Sequence, residues 1–176
     1  MPLVFPRNSE SGGVCFLKAN DMDTKTKTYK LMMKPVPDSC WYSNLRSALP
    51  KKIWDVLRKD AYARADGKCM ICGRRATRLE AHENWSYDEE NAVQKLDDII
   101  AVCHDCHSVI HIGRTQLLGD EDKAIAHFCK VNKCSYSDYI KALGAANEYH
   151  ARLNRVGEWK LDASFITDVL KRHGIE

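Results

Sequence analysis

The sequence has no apolar run long enough to cross a bilayer, no internal repeat and no low-complexity tract. Its first residues, Met1-Pro2-Leu3-Val4-Phe5-Pro6-Arg7, have neither the basic stretch nor the continuous apolar core of a secretory signal. These absences argue against a helical membrane protein and against export, and lead to the expectation of a soluble, cytoplasmic chain with no membrane partner. Charge of one sign is also scarce. A formal net charge of +3 neither demands nor forbids a polyanionic partner.

What is abundant is cysteine, with eight in 176 residues. Four of them form two Cys-x-x-Cys pairs, a spacing that suits a metal far better than a disulfide framework. A composition 44% hydrophobic and 29% charged is that of an ordinary globular protein. The length suits one compact unit, or a small metal-stapled core carrying helical extensions.

Along the chain, residues 1–26 read as a loose arm, and residues 26–33 as a short β-like run closed by Pro35 and Pro37. Pro50 opens a helix in which Ile53, Trp54, Leu57 and Ala61 recur at helical spacing, and Gly67 closes it. Residues 120–131 and 135–153 read as amphipathic helices, the second with Ser135 or Ser137 as cap and with Tyr139, Leu143 and Ala146 on one face. Residues 158–161 suit a short strand, and Asp162 can cap a last helix through Phe165, Ile166, Val169 and Leu170, ended by Gly174. The expected division is an N-terminal arm over 1–47, a zinc-binding module with its leading helix over 48–115, and a C-terminal helical extension over 116–176.

Cys69-Met70-Ile71-Cys72-Gly73 has the form of a zinc knuckle, in which two thiolates grip one ion and glycine permits the turn beneath it. Cys103-His104-Asp105-Cys106 supplies a second pair, completing the four sulfurs of a closed, structural zinc site. The competing reading is two unrelated buried or redox pairs, but no thioredoxin-like βαβ context accompanies them. His107 and His111 follow at helical spacing, so two imidazoles share one face and can reach one divalent cation. A purely structural imidazole at the knuckle is the plainer alternative. The alternating stretch Arg78-Leu79-Glu80-Ala81-His82-Glu83-Asn84-Trp85 suits a hairpin strand on which His82 faces that helix, completing a three-imidazole cluster with open coordination.

In this order, Cys-x-x-Cys-Gly, then Leu-Glu-x-His, then Ile99-Ile100-Ala101-Val102 running into Cys-x-x-Cys-His-x-x-x-His, the residues resemble the HNH (ββα-metal) endonuclease superfamily. The upstream Cys40-Trp41-Tyr42-Ser43-Asn44-Leu45-Arg46 with Leu49-Pro50, and His82-Glu83-x-Trp85, are similar to a zinc-stapled bacterial and phage subgroup of it. The resemblance implies an α+β fold built on a small ββα-metal module. It also implies an endonuclease that hydrolyses phosphodiester bonds, most readily in DNA, with a histidine activating water. Cys69, Cys72, Cys103 and Cys106 match the structural zinc ligands, and His107 and His111 the metal histidines of the helix.

Two positions depart from the family pattern. Where many members carry a metal ligand followed by a basic histidine, this chain reads Ala81-His82-Glu83. One alignment makes His82 a ligand of the catalytic cation (Mg2+, Mn2+, Ni2+ or Zn2+) and Glu83 the base; the other makes His82 the base beside a non-ligating Ala81. His82 is the key residue in either. The family asparagine is Asp98, able to orient a histidine or to bind the ion. Phosphate contacts are expected from Arg74, Arg75, Arg78, Lys95 and Arg114, while Trp41, Trp54 and Trp85 read as packing residues. The alternative function is a catalytically degenerate module that binds nucleic acid, or a phage-type interaction or inhibitor protein meeting a partner through the C-terminal helices with Tyr136, Tyr139, Tyr149 and Trp159. A homodimer is a further expectation from the superfamily.

Overall fold

The computed structural model describes residues 28–41 and 44–175, so the arm expected over residues 1–26 lies outside the described residues. The fold is mixed α+β: among the described residues, seven α-helices surround one three-stranded sheet in the order β1-β2-β3. Strands β1 (Glu80–Asp88) and β2 (Val93–Val102) form an antiparallel hairpin. Asp88 shapes its turn by accepting the N–H groups of Glu90 and Asn91, each at 3.1 Å. The ladder pairs His82 with Ile100 and slips between Asn84 and Trp85, where Asp97 is left without a partner as a β-bulge.

Both faces of β2 are covered, which accounts for its unbroken apolar run. Leu96, Ile99 and Ala101 pack against helix α2 (Lys51–Ala65), which follows the short α1 (Leu45–Ala48) and presents Trp54, Leu57, Ala61 and Ala65 along one face. The helix ends where Asp66 and Gly67 turn left-handed, at φ of 48° and 69°. On the other face, Ile100 and Val102 meet α3 (His104–Ile110), α4 (Ile112–Leu117), α5 (Glu121–Asn132) and α6 (Tyr136–Leu153), with Val109, Ile110, Phe128 and Tyr139 at the centre. Ser135 is the cap of α6, in a capping box with Asp138.

The C-terminal segment does more than extend the module by helices. Strand β3 (Lys160–Asp162) adds to β2 in parallel, and α7 (Ser164–Arg172) returns Val169 to the core shared with α2. Asp162 accepts the N–H of Ser164 at 3.0 Å, one residue ahead of the helix's own cap position, Ala163.

One expected element is absent. The described part of the run over residues 26–33 forms no strand. Leu31 is fully buried, and its N–H and C=O are both bonded by the Asn132 side chain, at 3.0 and 2.9 Å. Lys34 N–H reaches Ile110 C=O at 3.1 Å. The backbone is thus satisfied by a side-chain amide and a helix end, while Pro35 and Pro37 offer no donors for a ladder.

Asp60 joins the ends of the chain's core. It accepts from Arg64 of α2 at 2.9 Å and lies 3.1 Å from His173 Nε2 and 3.6 Å from Arg172, beyond the end of and within α7. Burial raises its carboxyl, but the hydrogen bonds from His173 and Arg64 outweigh that and hold it below the usual value of 3.8. Asp60→Ala is therefore expected to lower the unfolding free energy by about 1–3 kcal/mol in urea titrations at neutral pH. Because the folded carboxyl is the more acidic, this contribution is complete above pH 3.8 and vanishes as pH falls through the folded value. Identical urea midpoints for variant and parent at neutral pH would show that the bridge carries no stability.

Candidate metal centres and the adjoining groove

The first Cys-x-x-Cys pair lies on a tight turn after α2. Cys69 N–H bonds Arg74 C=O at 2.9 Å, Gly73 N–H returns to Cys69 C=O at 2.8 Å, and Met70 N–H holds Ala101 C=O of β2 at 2.9 Å. Gly73 takes φ +77°, a conformation that L side chains disfavour. Cys103 caps the N-terminus of α3 and Cys106 sits in its first turn, so the second pair arrives at the end of β2. The four sulfurs lie within 4.8 Å of one another, with Cys72 Sγ and Cys103 Sγ 3.8 Å apart.

That separation is far longer than a disulfide of about 2.05 Å. It equals the edge of a tetrahedron whose centre lies about 2.3 Å from each sulfur, the zinc–thiolate distance. The acid–base state of the cluster points the same way. A hydrogen bond from Cys106 brings the Cys69 thiol down to about 4, and the same bond, with burial and the neighbouring thiolates, pushes Cys106 far up; burial raises Cys103. Without a cation, sulfurs so crowded cannot all ionise. The four-cysteine group is therefore compatible with a structural metal such as zinc. His127, which no sequence signal singled out, places Nε2 3.1 Å from Cys106 Sγ.

The second cluster is made by His82 of β1, His107 of α3 and His111 at the α3–α4 junction, with ligand nitrogens within 4.8 Å of one another. His111 keeps the helical bond to His107 C=O at 3.0 Å although the helix itself ends at Ile110. His82 is buried, and its Nε2 has no hydrogen-bond partner. Burial first, then the neighbouring imidazoles, holds His82 far below its usual value; burial and His107 bring His111 to about 4. Both are thus neutral near pH 7, the form that ligates a metal.

Glu80 supplies the orientation. Its Oε2 lies 2.5 Å from His107 Nδ1 and its Oε1 3.1 Å from His104 Nδ1, which leaves the far nitrogen of His107 for a cation. Asp98, given that role from the sequence, is not brought to the histidines. Arg64 of α2 grips both its oxygens, at 3.1 and 2.8 Å, and one oxygen also accepts Ile99 N–H at 2.7 Å. Asp98 stands next to the bulge at Asp97, an irregularity of the kind that re-aims side chains. Glu83 accepts Leu45 N–H at 2.9 Å and Trp85 Nε1–H at 3.2 Å, and burial raises its carboxyl.

All three histidines, Glu80 and Glu83 line one groove of about 1220 Å³. Of the cations expected to meet phosphate, Arg78 and Arg114 line it. Arg74 instead pairs with Asp105 at 2.7 Å, Arg75 approaches Asp66 at 3.8 Å, and exposed Lys95 lies on β2 opposite Ser86. Lys34, Arg46, Lys51 and Arg58 line the groove without having been singled out from the sequence. Trp54 is core, as expected, while Trp41 and Trp85 are half-buried on the groove wall. Tyr139 is fully buried and Tyr136 is exposed, so the aromatics of α6 divide between core and surface.

Reduced protein is expected to hold about one zinc tightly by elemental analysis, and Cys72→Ser or Cys106→Ser to lose both the ion and cooperative thermal unfolding, because structural zinc contributes free energy comparable with a domain's whole stability. Retention of the fold without metal would refute the assignment. A second expectation concerns acid. Without a cation at the histidines, stability should fall as pH drops below 6.5, since unfolded imidazoles take up protons that buried His82 and His111 refuse. The slope, up to about 1.4 kcal/mol per pH unit for each group, should flatten in His82→Leu. Compared with protein-family models, curated proteins and solved structures, the chain matches none, so its function has to be argued from this geometry.

Proposed function

We propose that the chain is a metal-dependent endonuclease of the HNH type, hydrolysing phosphodiester bonds of nucleic acid, DNA first among them. The observation that carries this reading is the convergence of His82, His107 and His111, with the buried Nε2 of His82 left unpartnered, on a groove lined by cationic side chains. Hairpin, Cys-x-x-Cys and the following helix stand in the order that the HNH resemblance implies. Imidazole donors suit Zn2+ or Ni2+ better than Mg2+, which prefers oxygen donors. A divalent cation held there supplies Lewis-acid stabilisation of the negative charge that develops on the phosphodiester.

The chain's own residues then have separate tasks. His82, grouped with the other two imidazoles, acts as a ligand, so the alignment with Glu83 in the base position is preferred. A free carboxylate with a pKa of about 4.3 is a poor base at neutral pH; burial raises that of Glu83. Glu83 accepts the proton of the attacking water, and Glu80 holds the His107 ring in place through Nδ1.

A second reading has its own support. Both Glu83 oxygens already accept hydrogen bonds, one from Leu45 N–H and one from Trp85 Nε1, and Asp98 is committed to Arg64. That arrangement suits a catalytically degenerate module that binds nucleic acid or a protein through the same scaffold.

The two readings part on cleavage. Supplied with Mn2+, Ni2+ or Zn2+, the wild-type protein is expected to nick plasmid DNA, His107→Ala and His82→Ala to lose at least about a hundredfold in rate, and Glu83→Gln to fall by about 10²–10⁴. Intact plasmid and intact single strands with every cation would reject the nuclease and favour the scaffold. Full activity in Glu83→Gln would reject Glu83 as base while leaving the cation site standing.

A further inference from the structure

The groove beside the histidines is unequal in charge. Lys34, Arg46, Lys51, Arg58, Arg78 and Arg114 line it against three carboxylates, Asp55, Glu80 and Glu83. Each carboxylate is already engaged: Asp55 by Arg58 at 2.7 Å, Glu80 by His104 and His107, Glu83 by Leu45 N–H and Trp85 Nε1. Among the described residues, the surplus positive charge therefore has no counterpart within the groove.

The arginines make the point more sharply. Among the described residues, Arg58, Arg64, Arg74, Arg75, Arg152 and Arg172 each have a carboxylate partner. Among the described residues, Arg46, Arg78, Arg114 and Arg155 have no such ion pair, and the first three of these line the groove, all of them exposed. They come from three separate places: α1, the segment leading into β1, and α4. A planar guanidinium with no carboxylate partner can meet the two free oxygens of a phosphodiester with paired N–H donors. Three such forks, from distant parts of the chain, line the same groove as the histidines.

We infer that Arg46, Arg78 and Arg114 form the track that receives the sugar–phosphate backbone of nucleic acid and lays one phosphodiester against His82, His107 and His111. The inference rests on the nuclease reading for its substrate class, and it replaces Arg74, Arg75 and Lys95 as the phosphate contacts. Contacts of this kind are made to the backbone and not to base edges, so binding through the track is independent of sequence. Release of counterions from the bound phosphates makes it strongly dependent on salt.

The test is a binding measurement separated from turnover. Fluorescence anisotropy with a short labelled DNA duplex, and with the corresponding single strand, is recorded for the full-length protein over a range of KCl concentrations. No divalent cation is added, and the probe is checked intact afterwards. Arg46→Gln, Arg78→Gln and Arg114→Gln should each weaken binding several-fold. Each should also lower the magnitude of the slope of log K against log salt by about 0.9 on the duplex, or about 0.7 on the single strand. The triple variant should lose the sum of these slopes, whereas Arg75→Gln and Lys95→Gln should bind as the wild type does. Unaltered thermal melting of the variants excludes a folding defect, since all three positions are exposed. Wild-type slopes in the triple variant, or equal losses in Arg75→Gln and Lys95→Gln, would overturn the track. A protein that binds through these arginines but cuts nothing would retain the track and remove the nuclease. Cleavage that survives in the triple variant with unchanged salt dependence would do the reverse.

Discussion

Four cysteine sulfurs gathered within 4.8 Å set the relation between the hairpin and the helix that follows it. Two of them come from the knuckle after α2, whose Met70 N–H is tied to Ala101 of β2, and two from the N-cap and first turn of α3, into which β2 runs directly. A cation among the sulfurs converts four mutually repelling thiolates into a rigid corner. Beyond that corner the direction of α3 is no longer free. His107, one residue past the last sulfur, and His111, a turn later, are delivered to the side of β1 where His82 stands.

A corner of this kind needs support on both sides, and the rest of the chain supplies it. The hairpin is too small to bury itself. Helix α2 covers one face of β2, and α3, α5 and α6 cover the other, with Phe128 and Tyr139 fully buried behind the zinc-compatible corner. Strand β3 and α7 then return from the far end of the sequence to close the sheet edge and the α2 side. The histidine cluster thus lies at the rim between two packed cores, where burial is deep enough to keep His82 and His111 neutral yet one side opens on the groove.

Much of this was legible in the letters because it depends on short-range spacing. The two Cys-x-x-Cys pairs, the helical interval between His107 and His111, the apolar run Ile99 to Val102 and the serine and proline that start helices all act within a few residues of themselves. What escaped depends on pairing between distant segments. Asp98 looked like a partner for histidine, but beside the bulge it is held by Arg64. Glu80 proves to be the orienting carboxylate, a choice that strand alternation allowed, since residues 80 and 82 leave a strand on the same side. The run before Pro35 reads as a strand by propensity, yet the Asn132 side chain takes the backbone groups that a ladder would have used. The basic groove was only half visible, because Arg46 and Arg114 are far apart in sequence and their lack of carboxylate partners is a property of the folded chain alone.

The same desolvation bears on both residues whose roles the sequence left open. At His82, burial favours the uncharged imidazole, the form that ligates a cation. At Glu83, the adjacent residue, burial acts on an acid and so works in the opposite direction, raising the carboxyl. Burial on each side of the strand, beside His107 and His111 for His82 and against α1 for Glu83, thus favours a neutral imidazole at one residue and a protonated carboxyl at the next. The opposing term at Glu83 is the pair of hydrogen bonds from Leu45 and Trp85, which stabilise its charged form. Burial is the larger of the two and leaves the carboxyl raised, so the acidity of Glu83 is set in the contact between α1 and β1 and not at the candidate metal centres.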